Sequence, residues 1–414
     1  MSHYGLVLAG GGGKGAYQMG AWKALREMNI TFDAIAGVSV GSINGALIAQ
    51  GDFEKAMEMW NGVSIDKGVK ITEALPDPEN LFSKKNWGAL FKEVLRKGGI
   101  DASPLAGYIK DYIDEEKIRE SGIPLGVVTV QMGQKVNALE LFIDDMPEGE
   151  LIDYLMASSS IPLVTNIGPE GEKFLDGGVY DNTPVMTLKK RGYNKLIVID
   201  ISNIKGVAHN LDFSNCQVVY IKPYDTDDLG AAFDFDAELN KKRMQLGYLD
   251  TKKAFGYLSG NIYHFLPVTF RIFTAKYGVD EVYQLELLAN KLGLSKTEIY
   301  SEETFLLSLK DAYEKEKAEI AAREEAKEAA REANRRKSVE AAEELVPDET
   351  ATEKEAEGGH FSFGLLRNTV LKNYFTQKKT GFEGFEKAVE VLEKFGIRNS
   401  EFGIAPEAVL DGEV

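Results

Sequence analysis

The sequence predicts an α/β layer fold with a mainly parallel central sheet, continued by a helical C-terminal extension. Strand-like and helix-like segments alternate over the first 225 residues. Several of the strand-like segments are near-continuous apolar runs, as strands buried on both faces require, and beyond residue 226 the pattern turns mostly helical. Strands are expected over 4–9, 31–38, 125–132, 195–201 and 217–222, with helices at 15–28, 42–50 and 104–113 between them. Ser103 supplies an N-cap and Pro104 a first helical residue for the last of these. Further helices are expected over 237–257 and 281–292, and the spacing of Phe385, Ala388, Val389, Leu392 and Phe395 before Gly396 reads as a small docked helix. The chain thus divides into an α/β domain (1–225), a helical extension (226–313), a charged helix or linker (314–358) and a C-terminal helical segment (359–414).

The chain has 414 residues, a formal charge of −17 and one cysteine, Cys216. Its acidity argues against nucleic-acid binding, which needs clustered Lys and Arg. A single cysteine excludes an internal disulfide framework and a cysteine-ligated zinc site. The start, MSHYGLVLAGGGGKG, lacks the basic residues, longer apolar run and cleavage site of a secretory signal. The uncharged stretch 34–51 is interrupted by Gly37, Ser39, Gly41, Ser42, Asn44, Gly45 and Gln50, which argues against a membrane span. The expectation is a cytoplasmic protein. Residues 314–357 hold 15 acidic and 9 basic side chains and no aromatics, so −6 of the −17 lies there. Arg323, Lys327, Arg331 and Arg335 recur beside Glu324, Glu328 and Glu332, two opposite-charge rows on one helix, supported by pairs such as Glu328 with Arg331. No apolar stripe accompanies them, so the segment is expected to be a solvated helix or linker; any protein partner it has is unspecified.

Two strand-to-helix turns near the start carry the chemistry. The first, Gly10-Gly11-Gly12-Gly13-Lys14-Gly15, leaves backbone N–H groups bare at a helix N-terminus. It fits a dinucleotide site with Asp33 as the ribose-binding acid, a preformed oxyanion hole, or simply a tight turn. The second is Gly37-Val38-Ser39-Val40-Gly41, a GxSxG elbow between strand and helix. Its flanking glycines relieve a strained turn, while the Val40 N–H and the helix dipole face charge developing on a bound carbonyl. Ser39 is therefore the candidate nucleophile.

A serine nucleophile needs a base, yet the four histidines are His3, His209, His264 and His360, none of them between Ser39 and residue 200. Asp176, set before Gly177 and Gly178 in a tight turn, is the better candidate. An aspartate is a weak base, so it must touch the serine directly in a desolvated site. Such a dyad suits esters better than amides.

These blocks together resemble the patatin-like phospholipase family. The GGGGKG, GVSVG and DGG motifs match its oxyanion loop, elbow and catalytic aspartate; Ala157-Ser158-Ser159-Ser160-Ile161-Pro162 and Asn182-Thr183-Pro184 match two further blocks. Lys14 stands where many members carry Arg. The resemblance covers roughly residues 4–205. It implies a three-layer patatin-like fold and a Ser39–Asp176 dyad without histidine. It also implies hydrolysis of lipid acyl esters, of phospholipase A or lipid esterase type, without metal or diffusible cofactor. The alternatives are a Ser39–Asp176–His209 or His264 triad of α/β-hydrolase type, a dinucleotide-binding protein, and a non-catalytic adaptor working through the charged helix. A lipid substrate implies transient, peripheral membrane contact, for which the stretches around Trp87, Leu90 and Phe91 and around Phe265 to Phe273 are the apolar candidates.

Overall fold

The computed structural model describes residues 3–63, 103–132, 136–160, 169, 173–202, 211–232 and 234–343. The chain falls into two compact units, Met1–Leu258 and Ser259–Val414. In the first unit the elements run β1 (His3–Leu8), α1 (Ala16–Glu27), β2 (Thr31–Val38), α2 (Val40–Gln50), α3 (Phe53–Gly62), α4 (Ser103–Tyr112) and α5 (Glu115–Glu120). They continue as β3 (Leu125–Met132), β4 (Val136–Phe142), α6 (Leu151–Ser158), β5 (Lys173–Asp176), α7 (Val185–Lys189), β6 (Lys195–Ile199), β7 (Gln217–Ile221) and α8 (Ala237–Ala254).

The sheet order is β4-β3-β2-β1-β6-β7, parallel from β3 to β7, with β4 and β5 antiparallel to β3. This is the mainly parallel α/β sheet that the apolar runs predict. Its two faces are separated by the side-chain alternation of the strands. Leu6, Leu8, Ile197 and Ile199 join one core with residues of α1, α2 and α3, whereas Val7, Leu196 and Val198 join another with Val185 and Leu188 of α7. The chain runs outward from β1 to β2 and β3, then returns to add β6 on the other side of β1. Such a switch point opens a crevice at the carboxyl ends of the strands, where both glycine turns lie.

Strand β5 was not legible. It occupies four residues, and its pairing is set by β3: Ile35 to Val38 of β2 pair with Leu125 to Val128, and Asp176 to Lys173 of β5 pair with Thr129 to Met132. The two strands meet end to end along one edge of β3.

Helix α8 crosses α1 at backbone contact. A Cβ on Gly20 would lie 1.7 Å from the Met244 carbonyl oxygen, and one on Gly247 would lie 2.0 Å from that of Tyr17. The Tyr17 hydroxyl donates to Asp250 Oδ2 at 2.8 Å across the same crossing.

The second unit comprises β8 (His264–Phe265), α9 (Pro267–Tyr277), α10 (Val279–Lys291), β9 (Ile299–Tyr300) and α11 (Glu302–Glu343). Its core is aromatic: Phe265 stacks edge-on to Phe305 with ring centroids 5.3 Å apart, beside buried Tyr263 and Phe273. In the 265–273 stretch, Phe265 and Phe273 are therefore core, while Leu266, Val268 and Ile272 are exposed. Helix α11 buries Phe305, Leu306, Leu309, Tyr313 and Ile320, then runs on exposed with ion pairs such as Glu319–Arg323 and Glu332–Arg336. The charged segment is thus helical through Glu343, and its side chains are exposed from Ala322 through Ser338. The stretch around Trp87, Leu90 and Phe91, His209, and the segment 359–414 lie outside the described residues. No described helix is long and apolar enough to cross a membrane.

The α1–α8 crossing leaves no room for a methyl group between two backbones. Gly247→Ala should therefore destabilise the protein by about 1–3 kcal/mol or more through overpacking. Urea unfolding checks this, with Gly107→Ala, a helical glycine of α4 in open space, as the control for helix propensity alone.

Candidate active site

The meeting of β2 and β5 on β3 builds the site. Val38 pairs with Val128 and Asp176 with Thr129, so the residue following β2 and the last residue of β5 converge. The Ser39 side chain lies close enough to the Asp176 carboxylate to favour its charged form. Ser39 holds φ 52° and ψ −133°, a region that a non-glycine residue occupies only at a cost of roughly 1–3 kcal/mol. The elbow glycines have the role the motif predicts. A Cβ at Gly37 would lie 2.3 Å from the Gly41 carbonyl oxygen, and one at Gly41 would lie 2.3 Å from that of Leu8. Gly177 is bound in the same way, its Cβ position 2.1 Å from the Val128 carbonyl oxygen.

Two hydroxyls brace the strained turn, and a third holds the segment that meets Asp176. Ser158 donates to the Val128 carbonyl at 2.6 Å and accepts the Ser39 N–H at 2.8 Å, tying the elbow to β3. Ser42 donates to the Ser39 carbonyl at 2.6 Å. Ser160 donates to the Met156 carbonyl at 2.9 Å, and its own carbonyl accepts the Asp176 N–H at 2.7 Å. The Ala-Ser block of the sequence is thus the buttress between nucleophile and acid; its Ile161-Pro162 end lies outside the described residues.

Asp176 is partly buried. Desolvation pushes its carboxyl up to about 6, against the opposing hydrogen bonds from Ser39 and from the Gly178 N–H, the latter 2.7 Å from Oδ1. That value lies where a general base for neutral pH is wanted.

The Gly10–Gly15 loop packs on the elbow, with a Cβ at Gly10 only 3.2 Å from the Ser39 Cβ. Its amides divide into two sets. The Gly10 N–H donates to the Asn182 carbonyl (3.2 Å), the Gly13 N–H to the Ala232 carbonyl (2.6 Å) and the Lys14 N–H to the Gly11 carbonyl (3.3 Å). In a trans peptide the carbonyl and N–H point to opposite sides. The Gly10 carbonyl accepts Asn182 Nδ2 at 3.2 Å and the Gly11 carbonyl accepts Lys14, which turns the Gly11 and Gly12 N–H groups away from those partners. These two amides and that of Val40, in the first turn of α2, are the candidate oxyanion donors. The Lys14 side chain is buried, and desolvation holds it below the ordinary lysine value against the raising field of Asp227.

Asn182 was legible only as part of a motif. Its Oδ1 lies 2.6 Å from the Cβ positions of both Gly10 and Gly178, so it fills the space that both glycines vacate. Arg243 was not anticipated. Its guanidinium, fully buried, donates to the Gly13 carbonyl at 3.0 Å.

Other sequence expectations are not brought to this site. Asp33 sits at an irregularity between the Tyr4–Phe32 and Gly5–Ala34 pairs, far along β2 from Gly37, whereas a ribose-binding acid belongs at the carboxyl end of the second strand. His3 opens β1 at its opposite end, paired with Thr31. His264 is buried inside the second unit, its Nδ1 3.0 Å from the Lys296 carbonyl oxygen. Among the described residues no group of three or more His, Cys, Asp or Glu is placed to hold a metal ion.

The model of the family described as patatin-like phospholipase matches residues 6–189, which contain the glycine loop, the elbow, Asp176 and Asn182. Those residues are similar to the patatin-like phospholipase family over less than half of the chain. Lysophospholipase NTE1 of Candida glabrata is 28% identical over 203 residues, covering 48% of this chain and 10% of that protein. Patatin-like phospholipase domain-containing protein ZK370.4 of Caenorhabditis elegans is 28% identical over 209 residues, 49% of this chain and 14% of that protein. The chain therefore spans about a tenth to a seventh of the length of these relatives. The crystal structure of VipD from Legionella pneumophila aligns over 75% of this chain and 80% of that one, at 14% identity and a TM-score of 0.33.

The patatin-like site carries its own thermodynamic signature. Native Asp176 at about 6 holds its proton more tightly than an ordinary aspartate at 3.8, so folding stability falls as pH rises through that interval. Above it, the buried charge costs about 3 kcal/mol. Asp176→Asn should therefore stabilise the protein at pH 8 by up to about 3 kcal/mol and by far less near pH 4, read by denaturant unfolding at the two pH values.

Proposed function

We propose that the protein hydrolyses acyl esters of lipids, with Ser39 as nucleophile and Asp176 as its only base. The observation carrying this reading is the end-to-end meeting of β2 and β5 on β3, which brings the residue after Val38 and the partly desolvated Asp176 to adjacent rungs and so supports a serine–aspartate pair. Asp176 takes the Ser39 proton as Oγ attacks the ester carbonyl, and the oxyanion is held by the Gly11, Gly12 and Val40 amides. Collapse of the tetrahedral intermediate expels the alkoxide, which leaves as the alcohol with the proton from Asp176. Water then attacks the acyl-enzyme, giving Asp176 a proton that returns to Ser39 as the free fatty acid departs. No metal or diffusible cofactor enters this scheme.

The relatives named lysophospholipase and phospholipase support a lipid ester as substrate. Such substrates sit in aggregates, so the protein must meet them at a surface. A formal charge of −17 opposes adsorption to anionic bilayers, which favours transient, peripheral contact. A histidine triad is disfavoured by His264, whose ring is sealed in the second unit.

Ser39→Ala should reduce p-nitrophenyl ester turnover to background and abolish labelling by a fluorophosphonate; wild-type turnover by that variant would refute the reading. His209→Asn with His264→Asn should keep kcat within about twofold, whereas a triad would lose several orders of magnitude. The kcat/KM profile should rise with pH through about 6, as Asp176 loses its proton, and then level off.

A further inference from the structure

Helix α8 lies outside the family match, yet one of its side chains reaches the glycine loop. Arg243 is 1% exposed and donates five hydrogen bonds, all to neutral acceptors. Nε reaches the Leu229 carbonyl at 2.7 Å. One terminal nitrogen reaches the carbonyls of Gly13 at 3.0 Å and Asp234 at 2.6 Å and Asn240 Oδ1 at 3.0 Å; the other reaches Ala231 at 2.9 Å. The segment so gathered, around Ala231 to Asp234, is the one whose Ala232 carbonyl accepts the Gly13 N–H at 2.6 Å. Both peptide planes at Gly13 are therefore fixed from the same side, one by Arg243 itself and one by the segment that Arg243 holds. The loop has no slack there: a Cβ at Gly12 would lie 2.3 Å from the Ala232 carbonyl oxygen and one at Gly13 would lie 2.5 Å from that of Asp234.

We infer that Arg243 is a positioning residue for acyl-ester hydrolysis, and that the backbone carbonyls of Leu229, Ala231, Ala232 and Asp234 form a strap through which it sets the Gly11 and Gly12 amides. Glycine has more backbone freedom to lose than any other residue, so a run of four cannot hold amides in register unaided. An oxyanion hole works only if its donors are fixed before charge develops. Arg243 supplies the fixing through its planar fork of donors, spread over four carbonyls at distances no single ammonium can span. It touches neither substrate nor Ser39. This inference rests on the acyl-hydrolase reading for its catalytic consequence, but not for its effect on the loop.

The test uses full-length Arg243→Met and Arg243→Lys with two readouts. Hydrogen exchange of the peptide containing Gly10–Gly15 should quicken in both variants while peptides from β2 and β6 stay at wild-type rates. For p-nitrophenyl butyrate, kcat should fall about 10²-fold in Arg243→Met, near the loss of one oxyanion donor, with KM within about threefold. Arg243→Lys should recover part of that loss, and affinity for a trifluoromethyl ketone, whose hemiketal oxygen occupies the oxyanion site, should fall with kcat. If Arg243→Met does not fold, Arg243→Lys carries both readouts. Unchanged loop exchange, or faster exchange with wild-type kcat and ketone affinity, overturns the inference. Faster loop exchange in a protein whose wild type neither turns over esters nor reacts with a fluorophosphonate would instead sink the acyl-hydrolase reading and leave the clamp standing.

Discussion

Strand β3 is hydrogen-bonded along one edge by two strands in line, β2 parallel and β5 antiparallel, and the site exists because they stop at adjacent rungs. A parallel sheet alone would present Ser39 above its carboxyl edge with nothing opposite. The antiparallel β5 brings a second chain segment to the same point from the other direction, and its last residue is an acid. Every nearby glycine follows from this crowding. Gly37, Gly41 and Gly177 each stand where a Cβ would strike a backbone carbonyl oxygen within 2.3 Å. Close convergence of backbones brings two short side chains near one another, and it also partly desolvates Asp176.

The convergence has opposing energetic consequences. A desolvated carboxylate and a serine at positive φ both weaken the native state. Two sets of buried hydrogen bonds resist the relaxation that would relieve them. Ser158 links β3 to the elbow. On the other side of the nucleophile, Gln18 donates to the Ala9 carbonyl at 2.8 Å and accepts from Asn44, which also donates to the Gly15 carbonyl at 3.0 Å. Trp60 donates to Asn44 at 2.9 Å, and the Trp60 carbonyl accepts from Asn240 at 3.3 Å, one turn from Arg243 on α8. The glycine loop is thus gripped by carbonyl contacts at both ends, a network whose members are each buried and each bonded, the condition under which buried polarity rigidifies.

The legible parts of this arrangement were those where a local constraint acts on neighbouring residues. Bare turns demand glycine, so the loop, the elbow and the Asp-Gly-Gly turn are visible as short motifs, and doubly buried strands show as apolar runs. Strand β5 carries no such mark, because Lys173-Phe174-Leu175-Asp176 is too short to show a periodicity and its pairing comes from β3, more than forty residues away. Strand β4 is exposed over its first three residues and partly buried over the next three, and Asn137 and Glu140 interrupt its apolar run. Arg243 sits in a Lys-Lys-Arg run that reads as a solvated face. A signal was present nonetheless: Asn240, Arg243 and Gly247 share one side of α8, and polar residues spaced with a glycine mark a close buried crossing.

That crossing links fold to chemistry. Gly20 and Gly247 let α8 reach backbone contact with α1, and α1 begins where the glycine loop ends. A helix held at ordinary side-chain distance would stand several ångströms farther off, beyond the reach of a guanidinium whose bond to the Gly13 carbonyl is already 3.0 Å. The glycine pair and the arginine are therefore one device: the first sets the separation that the second needs. It follows that residues 6–189, although they contain Ser39, Asp176 and the loop, lack the part that fixes the loop's conformation. The compact unit reaching Leu258 contains all of these contacts.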